Sequence, residues 1–408
     1  MREKLSAFMA VVRREAHIIR HDVDIVTIIL VAPLFYAFFY SSVYWYKGEH
    51  DVPIAVVDMD NSATSRLLTR SLDAHQYIAI TQSLQDVGSA ERAIESSDVQ
   101  GAVFIPGGFE ASLKAGKGAD LKVYLNTSRF LVSNDLNKGI NEVVLTMTAG
   151  VRIKYFEMQG YSIDQARELY EPLRIEVKPL FNTTETYGDF LIPGILALIL
   201  QQTLLMGLSE SIAKEREAGT LGELFTTAGR SIWALMSGKG AFYLALFSAY
   251  ALFFYTVNFQ VFSIPFRGSA LALAILTVVF LLSVVYLSFF FSSFFHRKMI
   301  ALQVLGFTSY PIFLISGYSW PLQVLPVPLH VLANLIPITP YLSAYTRIAQ
   351  MGAGLGDVLP ELWHLLALAV CGFLFTRIRM KVLVRNLIGG PIPSPVFTAA
   401  HWVRKKIR

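Results

Sequence analysis

The stretch Ser209-Glu-Ser-Ile-Ala-Lys-Glu-Arg-Glu-Ala-Gly-Thr-Leu-Gly-Glu-Leu-Phe-Thr-Thr-Ala-Gly-Arg230 is a densely charged island between two long apolar segments, and charge of that density is expected in water. Gly219 suits the left-handed cap that ends a helix, and Thr220 and Glu223 have the Thr-x-x-Glu spacing of a capping box that opens another. On the second helix Leu221, Leu224 and Phe225 fall on one apolar side, while Glu215, Glu217 and Glu223 set acid around the bend. The expectation is helix, sharp bend, helix, forming a knuckle suited to docking. An amphipathic interfacial loop without a partner is the plainer alternative.

Outward from that island the chain is apolar. Its 408 residues are 54% hydrophobic and 16% charged, with a mean hydropathy of +0.48, which indicates an integral membrane protein. The net charge of +5 sits largely in the tails beside apolar spans, so membrane orientation explains it better than nucleic acid does. A single cysteine, Cys371, excludes an intrachain disulfide and a cysteine-rich metal site. The basic start (Arg2, Lys4, Arg13, Arg14, Arg20) leads into an apolar run with no small-residue cleavage site, which reads as a retained anchor.

Residues 1–24 read as an interfacial helix on the cytoplasmic surface, with Leu5, Phe8, Met9, Val12, Ala16 and Ile19 on one face; a solvated basic tail is the alternative. The first span covers 25–46, with Pro33 inside it and Tyr36, Tyr40, Tyr44, Trp45 and Tyr46 toward its outer end. Residues 47–187 have the composition of a soluble domain. Apolar runs at 54–57, 102–105 and 121–125 alternate with helical patterns starting near Ser62, Ser83 and Phe109, and a long helix follows over 133–159, which together predict an extracytoplasmic α/β layer. Asp58, Asp60 and Asn61 lack the EF-hand spacing, so strand end, turn and helix N-cap at Ser62 are favoured over a metal site.

Spans two to six fall within 188–382, at 190–208, 240–262, 270–295, 300–318 and 358–376, with the charged loop at 209–230 between the second and third. The segment 320–341 contains Pro321, Pro326, Pro328, Pro337 and Pro340, and reads as a re-entrant outer pair of short helices. A basic tail occupies 383–408. Five lysines and arginines precede span one and eight follow span six, whereas the short outer connections hold one each, Arg267 and Arg347. Six spans with both termini cytoplasmic satisfy that distribution.

The run Lys214-Glu215-Arg216-Glu217-x-Gly219-Thr220-Leu221-x-Glu223-Leu224 resembles the first cytoplasmic loop of ABC type-2 permeases, the membrane subunits of a class of ATP-driven exporters. That family usually carries Glu-x-Gly-Thr-Leu-Glu; here Gly222 precedes the acid. The resemblance implies a coupling helix, with Glu215, Arg216, Glu217, Gly219, Thr220, Leu221, Glu223 and Leu224 meeting an ATPase. It implies a multi-pass protein of the bacterial inner membrane, of the subfamily with a large domain between spans one and two. A second permease chain, identical or paralogous, and two ABC ATP-binding subunits would complete the assembly, in contact with membrane lipids. A periplasmic adaptor docking on the ectodomain is left open.

On the same resemblance, spans two and five line the path, with Gln201, Gln202, Tyr310 and Phe313 as path residues and an amphiphilic or hydrophobic cargo such as a drug or lipid. The plainer reading of the two glutamines is helix-to-helix hydrogen bonding. No Gly-x-x-x-x-Gly-Lys-Ser/Thr loop occurs, so ATP and Mg belong to a separate chain and no cofactor is expected on this one. No catalytic constellation or metal-ligand cluster is found, and the spans as drawn carry no mid-membrane Asp, Glu, Lys or Arg of the kind ion-coupled transporters use. Two other classes stay open: a membrane-anchored sensor or scaffold with a ligand- or partner-binding ectodomain, and a secondary transporter.

Overall fold

Six helices are long and apolar enough to cross a membrane in the computed structural model, which describes residues 2–170, 180–183 and 185–388. They are Val23–Val43, Tyr187–Glu217, Ile232–Val261, Ala270–Ser292, Lys298–Ile315 and Leu355–Leu383. A further apolar pair, Val327–Asn334 and Ile338–Gln350, bends by 80° at its proline-bearing junction. The described residues fall into two compact units, one drawn from 46–178 and one from the rest.

The second span is the hub of the helical unit. Its most apolar window is 83% buried, against 17% for span five. Small residues let neighbours approach it closely: Gly207 lies against Ile29 of span one and Gly194 against the ring of Tyr318, so that a Cβ at either position would overlap them. The spans are locally irregular where their sequences demand it. Thr27–Val31 forms a π-helical turn just before Pro33, which lacks the N–H an α-helix needs. A second π turn, Phe254–Asn258, sets Asn258 in the core, where its side chain accepts from Ser41 Oγ at 3.2 Å and donates to Ala37 O at 3.3 Å.

Several boundaries differ from the sequence reading. Span two does not end at 208; the helix runs unbroken from Tyr187 to Glu217, so half of the charged island is inside the protein. Polar side chains end a span only if water is their best partner, and here protein groups take that place. Span three starts at Ile232, capped by Ser231, rather than at 240. Span six continues to Ile388, so the basic tail begins as helix, and its 389–408 portion lies outside the described residues. Span five is interrupted at Thr308, between Lys298–Phe307 and Ser309–Ile315.

The other unit is an α/β sandwich. Strands β1 (Val52–Asp58), β2 (Ile78–Leu84), β3 (Gly101–Ile105) and β4 (Lys122–Leu125) form one sheet in the order β2-β1-β3-β4, parallel except for β4. The chain crosses from β1 to β2 through helix Ala63–Asp73, then from β2 over β1 to β3 through Val87–Glu95. These crossovers run in opposite directions, so a common right hand puts their helices on opposite faces. Alternation within β1 follows: Ile54 and Val56 join the core with Leu68, Leu72 and the long helix Phe130–Met158, while Ala55 and Val57 pack on Ala90 and Ala93. The helix start read near Ser83 is corrected, because Ser83 lies in β2 and the helix is capped by Asp86.

The acidic turn after β1 is consumed by backbone. Ser62 caps Ala63–Asp73, Asp58 Oδ1 accepts from the N–H groups of Asp60 and Asn61 at 3.0 Å, and its Oδ2 accepts from Ser65 Oγ at 2.6 Å. Asp60 reaches across to accept from Gly108 N at 2.8 Å and Glu110 N at 3.1 Å. The Ser62 hydroxyl first, and those amides with it, hold the Asp60 carboxyl below the ordinary range. In open parallel sheets the crevice beside the strand ends is the usual ligand position; here a carboxylate of the chain itself fills it.

Candidate docking site at the bend

The bend is built from two glycine-centred helix stops. Thr220 N donates to Glu215 O at 2.9 Å and Gly219 N to Arg216 O at 3.3 Å, with Gly219 at φ +72, which is the Schellman arrangement. The same pattern recurs one short helix later, where Arg230 N donates to Phe225 O and Gly229 N to Thr226 O, both at 2.9 Å, with Gly229 at φ +62. Between them stands the helix Leu221–Thr227. The repeated Ala-Gly of Ala218-Gly219 and Ala228-Gly229 was the signal for the second stop, which sequence reasoning missed.

The capping box does not form. Thr220 sits at φ −90, ψ 1 and makes no side-chain cap; its hydroxyl donates instead to the Glu215 carboxylate. The reason is competition: Glu215 is buried and a charge there takes the nearest donors. Its principal partner is Arg14 of the N-terminal helix Arg2–His21, whose guanidinium engages both carboxylate oxygens, the second at 3.1 Å. Burial alone would depress the Arg14 pKa; the Glu215 carboxylate outweighs it and raises it above its ordinary value. Glu215 therefore offers no acid to a partner, in contrast to the sequence expectation.

Beside this pair lies a fully enclosed ion pair that sequence reasoning did not find. Lys239 Nζ donates to Glu15 Oε2, and both side chains are at most 1% exposed. Glu15 Oε1 accepts from Ser211 Oγ at 2.7 Å and from Tyr243 OH at 3.1 Å. A buried ion pair is tolerable only when its remaining lone pairs are met, as they are here. The buried stripe of the N-terminal helix is accordingly Val11, Glu15 and Ile19; of the predicted face Ile19 is buried, whereas Leu5 and Met9 are exposed.

More polar ties surround the bend. Lys214 pairs with Asp22, and Lys298 with Asp24. Glu217 accepts from Lys298 N at 2.9 Å, and Arg216 donates to the carbonyls of Ser293 (2.9 Å) and Phe295 (2.6 Å), covering the end of helix Ala270–Ser292. Glu210 is fully buried, and neither carboxylate oxygen has a hydrogen-bond partner among the described residues.

What remains outward-facing is narrow. Leu221 and Leu224 are buried in the helical core, whereas Glu217, Gly219, Gly222, Glu223 and Thr226 are exposed. The four residues read as path-lining are dispersed. Gln201 accepts from Ile338 N and Gln202 donates to Leu305 O, each at 3.0 Å, both buried; Tyr310 is 69% exposed and Phe313 is buried. No hydrogen bond or ring contact among the described residues joins any two of them.

This arrangement of a short helix hung between two stops at the end of a polytopic bundle coincides with a family match: a model described as ABC-2 family transporter protein covers residues 25–378. The chain belongs to the ABC-2 transporter family. Its relatives include the probable multidrug ABC transporter permease YbhR of Escherichia coli (strain K12), 24% identical over 77% of this chain and 82% of the relative. The inner membrane transport permease YhhJ of the same strain is 23% identical over 81% and 85%. The linearmycin resistance permease protein LnrN of Bacillus subtilis (strain 168) is 23% identical over 85% and 92%. As an ABC-2 permease, the chain is a multi-pass membrane subunit of an ABC exporter, a non-catalytic component whose family works with ATP-binding subunits.

Proposed function

We propose that the exposed rim of the bend, Glu217, Gly222, Glu223 and Thr226, is where an ABC ATPase docks on the cytoplasmic side, and that the N-terminal helix clamps the bend to the spans. The observation carrying this reading is the Arg14–Glu215 pair, which ties the bend to a second element at its root. A hinge would absorb a push; a bend stopped by two Schellman motifs and held by a bidentate pair passes it to spans two and three. The lysine and arginine distribution supports placing both termini inside and the α/β unit outside.

Two permease chains would assemble with two ATPases carrying ATP and Mg. Span five, little buried in one chain and bearing exposed Tyr310, faces the second chain or the path in this reading. Gln201 and Gln202 then set the packing of span two against Leu305 and Ile338, where the path wall is formed. The cargo is amphiphilic or hydrophobic, in keeping with the aromatic, uncharged walls, and moves out of the cytoplasm or inner membrane.

The test is co-purification and transport with the ATPase encoded nearby. Glu217→Arg plus Glu223→Arg should lose the ATPase, while Arg14→Ala should retain it and lose ATP-driven export. Unimpaired export in Arg14→Ala would sink the clamp; retention of the ATPase by the charge-reversed chain would sink the docking rim.

A further inference from the structure

The α/β unit contains a cleft of about 820 Å³ between helix Ala63–Asp73, helix Phe109–Lys114 and the second half of the long helix Phe130–Met158. Its wall is Leu67, Leu113, Val143, Met147, Val151 and Tyr155. That volume lies in the range of roughly 300–1,000 Å³ over which proteins enclose small organic ligands.

Three glycines shape it. Gly150 stands inside the long helix, where glycine is less favourable than alanine, yet a Cβ there would meet nothing within 4 Å. Packing does not require this glycine; its effect is to leave the cleft open. Gly139 makes room for the imidazole of His75, which a Cβ would approach to 2.8 Å. Gly116, at φ +69, makes room for the Tyr155 ring, which a Cβ would approach to 2.7 Å.

Both carboxylates that line the cleft have a side-chain partner, whereas one of its two lysines has none among the described residues. His75 Nε2 meets Glu142 Oε2 at 3.4 Å, and Glu110 accepts from the Thr64 hydroxyl at 2.8 Å and lies 3.1 Å from Lys114. Lys154 has no carboxylate partner among the described residues. An apolar trough with an ammonium that no described carboxylate engages is complementary to a molecule with a long apolar body and a negative end.

We propose that this cleft binds an amphiphile with an anionic head, a carboxylate or a phosphate, its head at Lys154 and its chain along the wall from Val151 to Leu67. The site is internal to the α/β unit and does not rest on the transport reading.

The test uses the full chain in lipid nanodiscs and three diazirine-bearing probes of one chain length, headed by a carboxylate, a phosphate or a neutral alcohol, with labelled peptides mapped by mass spectrometry. The carboxylate or the phosphate probe should label the wall around Met147, Val151 and Leu113, and the better of the two identifies the head. Gly150→Trp should cut that labelling roughly tenfold or more, while Gly150→Ala, which also favours helix, should keep it and so exclude loss of folding. Lys154→Glu should reduce labelling by the anionic probe about three- to fivefold and leave the alcohol unchanged. Labelling absent from the wall, or equal in wild type and Gly150→Trp, would overturn the site; equal labelling by all three heads would overturn the role of Lys154.

Discussion

Glu15 and Lys239 show what single residues decide in this protein. Each is inaccessible to water, so removing one leaves the other as an uncompensated buried charge. Glu15→Ala should destabilise the permease by about 3–5 kcal/mol, and Glu15→Leu with Lys239→Met should recover most of that loss, read as thermal midpoints in detergent. A double variant no more stable than the single would show that the pair is not the source. Glu210 makes the opposite prediction. Both of its oxygens are buried without hydrogen-bond partners among the described residues, so Glu210→Leu should stabilise the fold by about 1–3 kcal/mol and raise the midpoint. A lowered midpoint would mean that the carboxylate has a stabilising role the fold does not display. Gly219 was legible in the sequence because only a residue without Cβ accepts φ +72 cheaply, and Gly219→Val should cost about 1–2 kcal/mol. Glu15 was not legible, since helical spacing marks apolar faces and a carboxylate inside one reads as a break in it.

At the scale of elements, the existence of the spans was readable and their ends were not. Long uncharged runs identify six crossings, and the same six are long and apolar enough in the structure. The ends were misplaced wherever polar side chains found protein partners instead of water, as from Ser209 to Glu217, where Ser209 donates to Ser288 O at 3.1 Å and Ser211 to Glu15. Composition cannot separate a charge in water from one in a pair. The α/β unit repeats the lesson: β1 and β3 were visible as apolar runs, whereas β2 alternates from Ile78 outward and passed unnoticed. Of the bend, the first stop was legible and the clamp was not, because Arg14 and Glu215 are far apart in sequence. The clamp depends on close contact at Gly238, where a Cβ would come within 2.8 Å of Val11. Gly238→Leu should therefore push the N-terminal helix off span three, lowering export at unchanged membrane insertion, and full export in that variant would separate the helix from coupling.

For the whole molecule, the account is that ATP-driven motion enters at one exposed rim and is carried inward by buried ionic ties rather than by the apolar side of the bend. Leu221 and Leu224 belong to the helical core, so at the proposed rim the ATPase would meet acid and glycine instead. The single cysteine, Cys371, allows the claim to be examined by site-specific chemistry. The most direct measurement is thiol crosslinking of Glu223→Cys, in a Cys371→Ser background, to single cysteines on the surface of the ATPase encoded nearby, with and without ATP. A docking rim at Glu223 predicts a crosslink there whose yield changes with ATP, and none from a cysteine at Leu145 of the α/β unit, which is also exposed to solvent. A stable permease that gives no crosslink at Glu223, in either nucleotide state, would contradict it.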